Sequence, residues 1–346
     1  MKKHLLLVIS IMALGYRVSM AQTSCAQTLR LAQSIYEQGR LHELENTLAE
    51  CLKGNNFTNQ EKIAAYKLLA LTYIYLEEPE KADEAMLTIL RTDHEFKVNE
   101  AADPAEFVAL YKTFRTHPIY RLGGKIGATA CQPHVISSES VADGAGEYGY
   151  RFGFQGQFSA EIPLSEKVIL NPELALQIKS FKNTLNVTPN DSTTFTTEAL
   201  ETGAWISLPV SVQYEFYQKK NTYYVSGGLS IEYLLSNSLT IRRLRGDFSP
   251  VDEGTFDIRD QRSQFDYSAL ISAGFKRKVG PGLVVGEIRY IMGLNPMQEK
   301  SFVFQNQTLV NSYHYVDGIF SLRTLTVSVG YLVNIYNPKK LTALKK

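Results

Sequence analysis

Three observations predict an α + β membrane protein, with an N-terminal antiparallel helical repeat domain followed by an eight-stranded antiparallel transmembrane β-barrel. Apolar residues recur at helical spacing from Cys25 to about Thr116 and at a period of two after Pro118. The second half divides into eight alternating segments, each with the ten or so residues a tilted strand needs to cross a bilayer. The connections between those segments alternate short and long. The expected domains are a signal peptide over 1–21, the helical domain over 22–117, the barrel over 118–336 and a short tail over 337–346.

The start, "MKKHLLLVISIMALGYRVSMAQ", places Lys2 and Lys3 before an apolar run from Leu5 to Leu14 and ends in Ser19-Met20-Ala21, a small-x-small cleavage pattern. This reads as a secretory signal with cleavage after Ala21. The run is about half the length that spans a bilayer, so an uncleaved anchor is disfavoured. Cys25 lacks the residues that precede a lipoprotein cysteine. No later stretch has eighteen consecutive apolar residues, so no transmembrane helix is expected. The formal net charge of +1 argues against bulk electrostatic binding of nucleic acid.

In the helical half, Ala32, Ile35, Gly39, Leu44, Leu48 and Cys51 set up a spacing that Ala70, Tyr73, Ala82, Met86 and Ile89 repeat 38 residues later, with Glu77 where Gly39 stood. These offsets resemble the tetratricopeptide repeat, whose small residues let two antiparallel helices pack closely. The alternative is a plain helical hairpin domain. A fifth helix, 104–116, covers the open end. Cys25 and Cys51 fall level across the first helix pair, so a disulfide follows in an oxidising compartment; Cys131 is left over. No further Cys or His stands at zinc-ligand spacing, so no metal or cofactor is expected. The half carries ten basic against fifteen acidic residues. Glu77, Glu78, Glu80, Asp83 and Glu84 give it an acidic edge suited to a basic or peptide-like protein partner.

The eight segments are 119–132, 148–162, 168–181, 203–217, 222–235, 264–277, 283–294 and 324–336. In the fourth, Ile206, Leu208, Val210, Val212, Tyr214 and Phe216 share one face, and Trp205, Ser207, Pro209, Ser211, Gln213 and Glu215 the other. Tight links ("PLSEK", "QKKN", "KVGPG") alternate with long polar ones such as 236–263 and 295–323. Outer-membrane barrels show this sorting, with short periplasmic turns and long outer loops. A soluble sandwich has no reason for it, so the aromatic faces should meet lipid. The opposite faces collect Arg121, Lys125, Arg151, Lys179 and Arg289 against Glu161, Glu173, Glu215, Glu232, Asp266 and Glu287. An eight-stranded barrel is only wide enough for side chains to fill, and charges placed there must pair. A salt-bridged plug is one reading and a proton or ion path the other.

The strands resemble the PorT-like outer-membrane β-barrel proteins of Gram-negative bacteria. The carrying stretches are "ISLPVSVQYEF" (206–216), "YYVSGGLSIEYLL" (223–235), "FDYSALISAGF" (265–275) and "GEIRYIMGL" (286–294), the last with Arg289, Tyr290, Gly293 and Leu294 in the family's arrangement. The stretch "LYKTFRTHPIYRLGGKIGAT" (110–129) looks like the junction in members that carry a periplasmic domain. The resemblance implies an outer-membrane location and an association with type IX protein secretion. It brings no catalytic residue.

For enzymatic chemistry the candidates are loop residues alone: His134 and His314, with Ser137, Ser138, Ser140 and Asp143. Adjacent small polar residues are ordinary loop composition. Arg242, Arg243 and Arg245 in "IRRLRGD" offer a contact for lipopolysaccharide phosphates through arginine forks. Two function classes result. One is a non-enzymatic barrel that anchors a protein-interaction domain, as an accessory subunit of an envelope assembly or secretion complex. The other is a lipid-modifying enzyme or lipid-binding barrel working through its outer loops.

Overall fold

The computed structural model describes residues 25–54, 56–138, 146–188, 194–218, 220–247, 249–298 and 304–341. The signal sequence, Ser140 and Asp143 lie outside the described residues. The chain forms two compact units. One holds the residues up to His117 together with Tyr336 onward; the other runs from Pro118 to Ile335.

The first unit is helical: α1 over residues 25–37, then α2 (Leu44–Lys53), α3 (Asn59–Tyr75), α4 (Pro79–Thr92) and α5 (Ala105–Lys112). Thr58 and Glu61 cap α3 reciprocally, Thr58 Oγ1 accepting from the Glu61 N–H (3.3 Å) and Glu61 Oε2 from the Thr58 N–H (2.9 Å). Pro79 opens α4, where a missing N–H costs nothing. Ala32, Ile35, Leu44, Leu48, Ala70, Ala82, Met86 and Ile89 form one buried core with Phe107. The Cys25–Cys51 disulfide closes its edge, and Cys131 is free and buried in the other unit.

The two helical hairpins turn in the same way. After α1 the Gly39 N–H donates to Tyr36 O and the Arg40 N–H to Ile35 O; after α3 the Glu77 N–H donates to Ile74 O and the Glu78 N–H to Tyr73 O. Both sets are Schellman caps, and Gly39 (φ 76°) and Glu77 (φ 58°) both take the left-handed conformation that such a cap requires. A β-carbon is tolerated there only at a cost, which Gly39 avoids and Glu77 bears.

The fifth helix ends earlier than its periodicity predicts. Thr113 and Phe114 turn back tightly onto Leu110 and Tyr111, and Thr113 Oγ1 donates to Leu110 O (2.7 Å). Beyond this turn Phe114 and Arg115 meet the chain's own C-terminal segment: the Arg115 N–H donates to Lys339 O, the Leu341 N–H to Thr113 O, and Phe114 bridges Lys340 in antiparallel sense.

The second unit is a nine-stranded antiparallel sheet in which eight strands close a barrel. The strands are β1 (Tyr120–Ser137), β2 (Glu147–Pro163), β3 (Val168–Val187), β4 (Phe195–Gln218), β5 (Asn221–Arg245), β6 (Pro250–Asp257), β7 (Phe265–Val279), β8 (Gly282–Gly293) and β9 (Ile319–Ile335). The ladder runs β4-β3-β2-β1-β9-β8-β7-β5, and a β4–β5 pairing joins its ends. Closure leaves no sheet edge in the wall, as a bilayer demands of any spanning sheet. The ninth strand, β6, hairpins onto the far half of β5, from Ser238↔Asp257 to Leu244↔Pro250. It falls in a stretch expected as loop.

β3, β4 and β5 therefore continue well past the eight-strand wall. The links joining β2–β3, β4–β5 and β7–β8 are tight, and Tyr120 pairs with Ile335, so the barrel begins and ends at the rim that carries these turns. Outward positions are apolar over a continuous band, Ile206 to Phe216 on β4 being one stripe; Phe152 and Phe154 are each 71 % exposed.

Candidate functional site

Period-two alternation delivers one polar side chain per two residues into the barrel lumen, where they form layers. Nearest the tight turns, Arg121 bridges Glu161 (3.1 Å) and Glu215 (3.0 Å), and Lys276 bridges the same two carboxylates (2.6 and 2.7 Å). In the next layer Lys125 pairs with Glu173 (2.6 Å) and Glu287 (3.2 Å), and Arg289 with the same pair (2.5 and 2.8 Å). Tyr224 donates to Glu287 Oε2 (2.7 Å), and Asn171 and Gln157 donate to Glu173 Oε1 (3.0 and 3.1 Å). A third layer joins Lys179 to Glu232, with Asp266 opposite Glu232 in the ladder. Five cations thus face six carboxylates, nearly all of them buried. Each cation of the first two layers bridges two carboxylates, so few of these charges depend on a single contact.

Arg151 is not among them: it is exposed. The β2–β3 register slips between Tyr150 and Gln155, and a one-residue slip sends side chains to the other face. The same irregularity turns Tyr148 inward, against Phe181 and Phe320. At the slip Gly153 lets β1 reach β3, because Thr129 Oγ1 donates to Ile178 O (3.1 Å) across it. A β-carbon on Gly153 would stand 1.8 Å from that carbonyl oxygen. Lys276 is a cation of these layers that sequence reading missed. It sits in the basic run "FKRKV" at a turn, and its shared parity with Asp266 is the signal that could have found it.

Above the charged layers the lumen is closed by an apolar one: Cys131, Phe181, Trp205, Leu234, Met297, Phe320 and Leu322, with Tyr148 packed against them. Over this lies Arg262, 7 % exposed, from the segment between β6 and β7. It bonds Glu201 through Nε (2.9 Å) and Nη2 (2.5 Å), and it also pairs with Asp317 and donates to Gln298. Tyr148 donates to Asp317 Oδ1 (2.8 Å) and Asn237 to Glu201 Oε1 (2.6 Å). The void beside this cluster is about 20 Å³, the size of a single water site. The segments before β7 and β9 are thereby pinned inside the mouth.

Strand alternation divides the loop arginines Arg242 and Arg243, and Arg245, the last residue of β5, is exposed. Arg242 bonds Glu198 (3.0 Å), which also holds Lys182 (2.6 Å), on the outer face of the β3–β6 extension. Arg243 lies on the other side, over the Phe195 ring and donating to Ser312 O (3.2 Å) near the short helix α6 (Gln307–Tyr313). His134 is an exposed residue of β1, and His314 caps α6 with φ 51°. Among the described residues no group of three His, Cys, Asp or Glu could hold a metal.

On the helical unit's acidic edge, Glu77 forms the left-handed turn, Glu78 pairs with Lys81 (3.0 Å), and Asp83 pairs with Lys340 (2.5 Å) of the chain's own tail. Glu80 and Glu84 are exposed.

The model of the family "Outer membrane protein beta-barrel domain" matches residues 120–299, just over half of the chain. Solved structures similar to this chain include Neisserial surface protein A (16 % identity, covering 62 % of this chain and 97 % of that one, TM-score 0.30). The attachment invasion locus protein Ail of Yersinia pestis is another (9 %, 62 % and 99 %, TM-score 0.27). So is the outer membrane protein OprG of Pseudomonas aeruginosa (12 %, 64 % and 98 %, TM-score 0.32). No curated protein matches the sequence.

Proposed function

The chain belongs to the outer-membrane protein β-barrel domain family, and from that premise we propose that it works without catalysis, as an outer-membrane anchor for a protein-interaction domain. The observation that carries this reading is the filled lumen. Two doubly bridged ionic layers, an apolar layer and the Arg262 cluster occupy its described length. A barrel stoppered in this way holds rather than transmits.

The interaction domain is then the helical unit, with the tetratricopeptide-like repeat as its finer description. The matched Schellman turns at Gly39 and Glu77 support that description. We place this unit in the periplasm, with the turns, and the extended β3–β6 panel outside, where Arg242 is the arginine on the panel's outer face and so the one offered to lipopolysaccharide phosphate. An accessory role in an envelope assembly or secretion complex, PorT-like and of the type IX kind, is the narrowest form of the proposal and rests on the strand motifs alone.

The test deletes residues 26–116 while keeping the signal and the barrel. The expected result is a barrel that still reaches the outer membrane but fails to restore the phenotype of a null strain. Full restoration by the truncated barrel refutes the reading.

A further inference from the structure

The acidic edge of the helical unit already has an occupant, and the way it is held describes the site. The C-terminal segment lies extended along residues 113–115. Its backbone is gripped by groups that ignore its side chains: the Arg115 N–H bonds Lys339 O (3.0 Å) and the Leu341 N–H bonds Thr113 O (2.8 Å). The Arg115 guanidinium bonds Asn337 O through Nη2 (2.8 Å) and Nε (3.2 Å). Two contacts read side chains. Lys340 Nζ meets Asp83 Oδ2 at 2.5 Å, and the Tyr336 ring stacks on His94 with centroids 5.3 Å apart.

None of the tail residues from Tyr336 to Leu341 is buried, and an exposed ion pair contributes little to holding it. The seat combines main-chain recognition of an extended strand, one carboxylate to select a cation and one ring to stack, which is how strand-addition sites take peptides. We infer that residues 113–115 with Asp83 and His94 form a docking seat for an extended, lysine-bearing peptide segment of a partner protein, and that the chain's own C-terminal segment covers this seat until such a partner displaces it.

This rests on the reading of the helical unit as the interaction domain, and it adds the partner's chemistry and a means of keeping the domain closed. The seat recognises backbone first, so many sequences fit it weakly; the Asp83 carboxylate narrows the set to those with a cation in the register of Lys340.

The experiment uses the full chain in lipid nanodiscs and a fluorescent synthetic peptide with the sequence of residues 336–346. A variant ending at Ile335 is expected to bind the peptide at least tenfold more tightly than the intact chain does. Asp83→Lys in that variant should weaken binding at least fivefold, and a peptide carrying Lys340→Glu should recover it. Equal binding by the intact and shortened chains, or none by the shortened chain with its α3 and α4 amides still protected, overturns the inference. Should shortening unfold the helices, the intact chain with Lys340→Glu decides. Faster protease trimming of its tail together with tighter binding of the unaltered peptide supports the seat; no change in either overturns it. A null result here leaves the anchoring role standing, because that role is judged by the 26–116 deletion.

Discussion

Replacing Arg289 by Ala should cost the barrel about 3–4 kcal/mol, near the low end of what breaking a buried ion pair costs. Arg289 is 1 % exposed and contacts Glu173 (2.5 Å) and Glu287 (2.8 Å). Its removal leaves Lys125 alone to neutralise two buried carboxylates. Neither carboxylate is stranded entirely, since Glu173 keeps Asn171 and Gln157 and Glu287 keeps Tyr224. These remaining donors hold the cost below the 5 kcal/mol upper end, while the void left by the long side chain works against them. Equilibrium urea unfolding of the purified barrel in lipid vesicles measures the difference. Adding Glu173→Gln removes the surplus negative charge and should recover at least half of the loss. A single-mutant cost below about 1 kcal/mol would show that the layer is solvated rather than dry. A double mutant no better than Arg289→Ala would show that charge balance is not what the lumen enforces.

Gly153→Ala should prevent proper closure of the wall between β2 and β3, because its β-carbon would sit 1.8 Å from Ile178 O; the yield of folded barrel on refolding into vesicles measures this, and a normal yield contradicts the close approach. Glu77→Gly should stabilise the helical unit by roughly 0.5–1 kcal/mol by relieving the left-handed turn, and Gly39→Ala should destabilise it by about the same amount; hydrogen exchange in α1 and α3 reads both. Cys25→Ala with Cys51→Ala should cost the helical unit roughly 3–4 kcal/mol, as expected for the cross-link that spans a separation of 26 residues, seen as a lower urea midpoint. The wild-type barrel should show no large steady conductance in planar bilayers, and sustained conductance would mean that the apolar layer around Phe320 and Trp205 opens.

What the sequence showed and hid follows from what a period of two can carry. Alternation assigns faces, so the lipid stripe Ile206–Phe216 and the inward carboxylates Glu215 and Glu287 can be read directly from it. It cannot register a slip, and the slip at 150–155 is what moves Arg151 out and Tyr148 in. Polar strands are hidden for another reason. Leu239 and Ile241 alternate with Thr240 and Arg242 as any strand would, but the dense arginines and the glycine after them look like loop. Packing on α6 and β6 gives that alternation its buried face. The Arg262 cluster could not have been foreseen, because Glu201, Arg262 and Asp317 come from three separate stretches and meet only once the mouth has folded.

The overlong β4 has a consequence of scale. Its lipid stripe begins at Ile206, so residues 195–203 run on beyond the band. At about 3.3 Å per residue this is roughly 30 Å of strand, or some 20 Å of height once the usual tilt of barrel strands is allowed for. A panel of that stature outreaches the headgroups, so in the proposed orientation the Lys182–Glu198–Arg242 face would stand among saccharides rather than acyl chains. Visitors to the cell would then meet hydroxyls and a carboxylate shared by two cations at a fixed altitude above the leaflet, carried on rigid hydrogen-bonded strands instead of wandering loops.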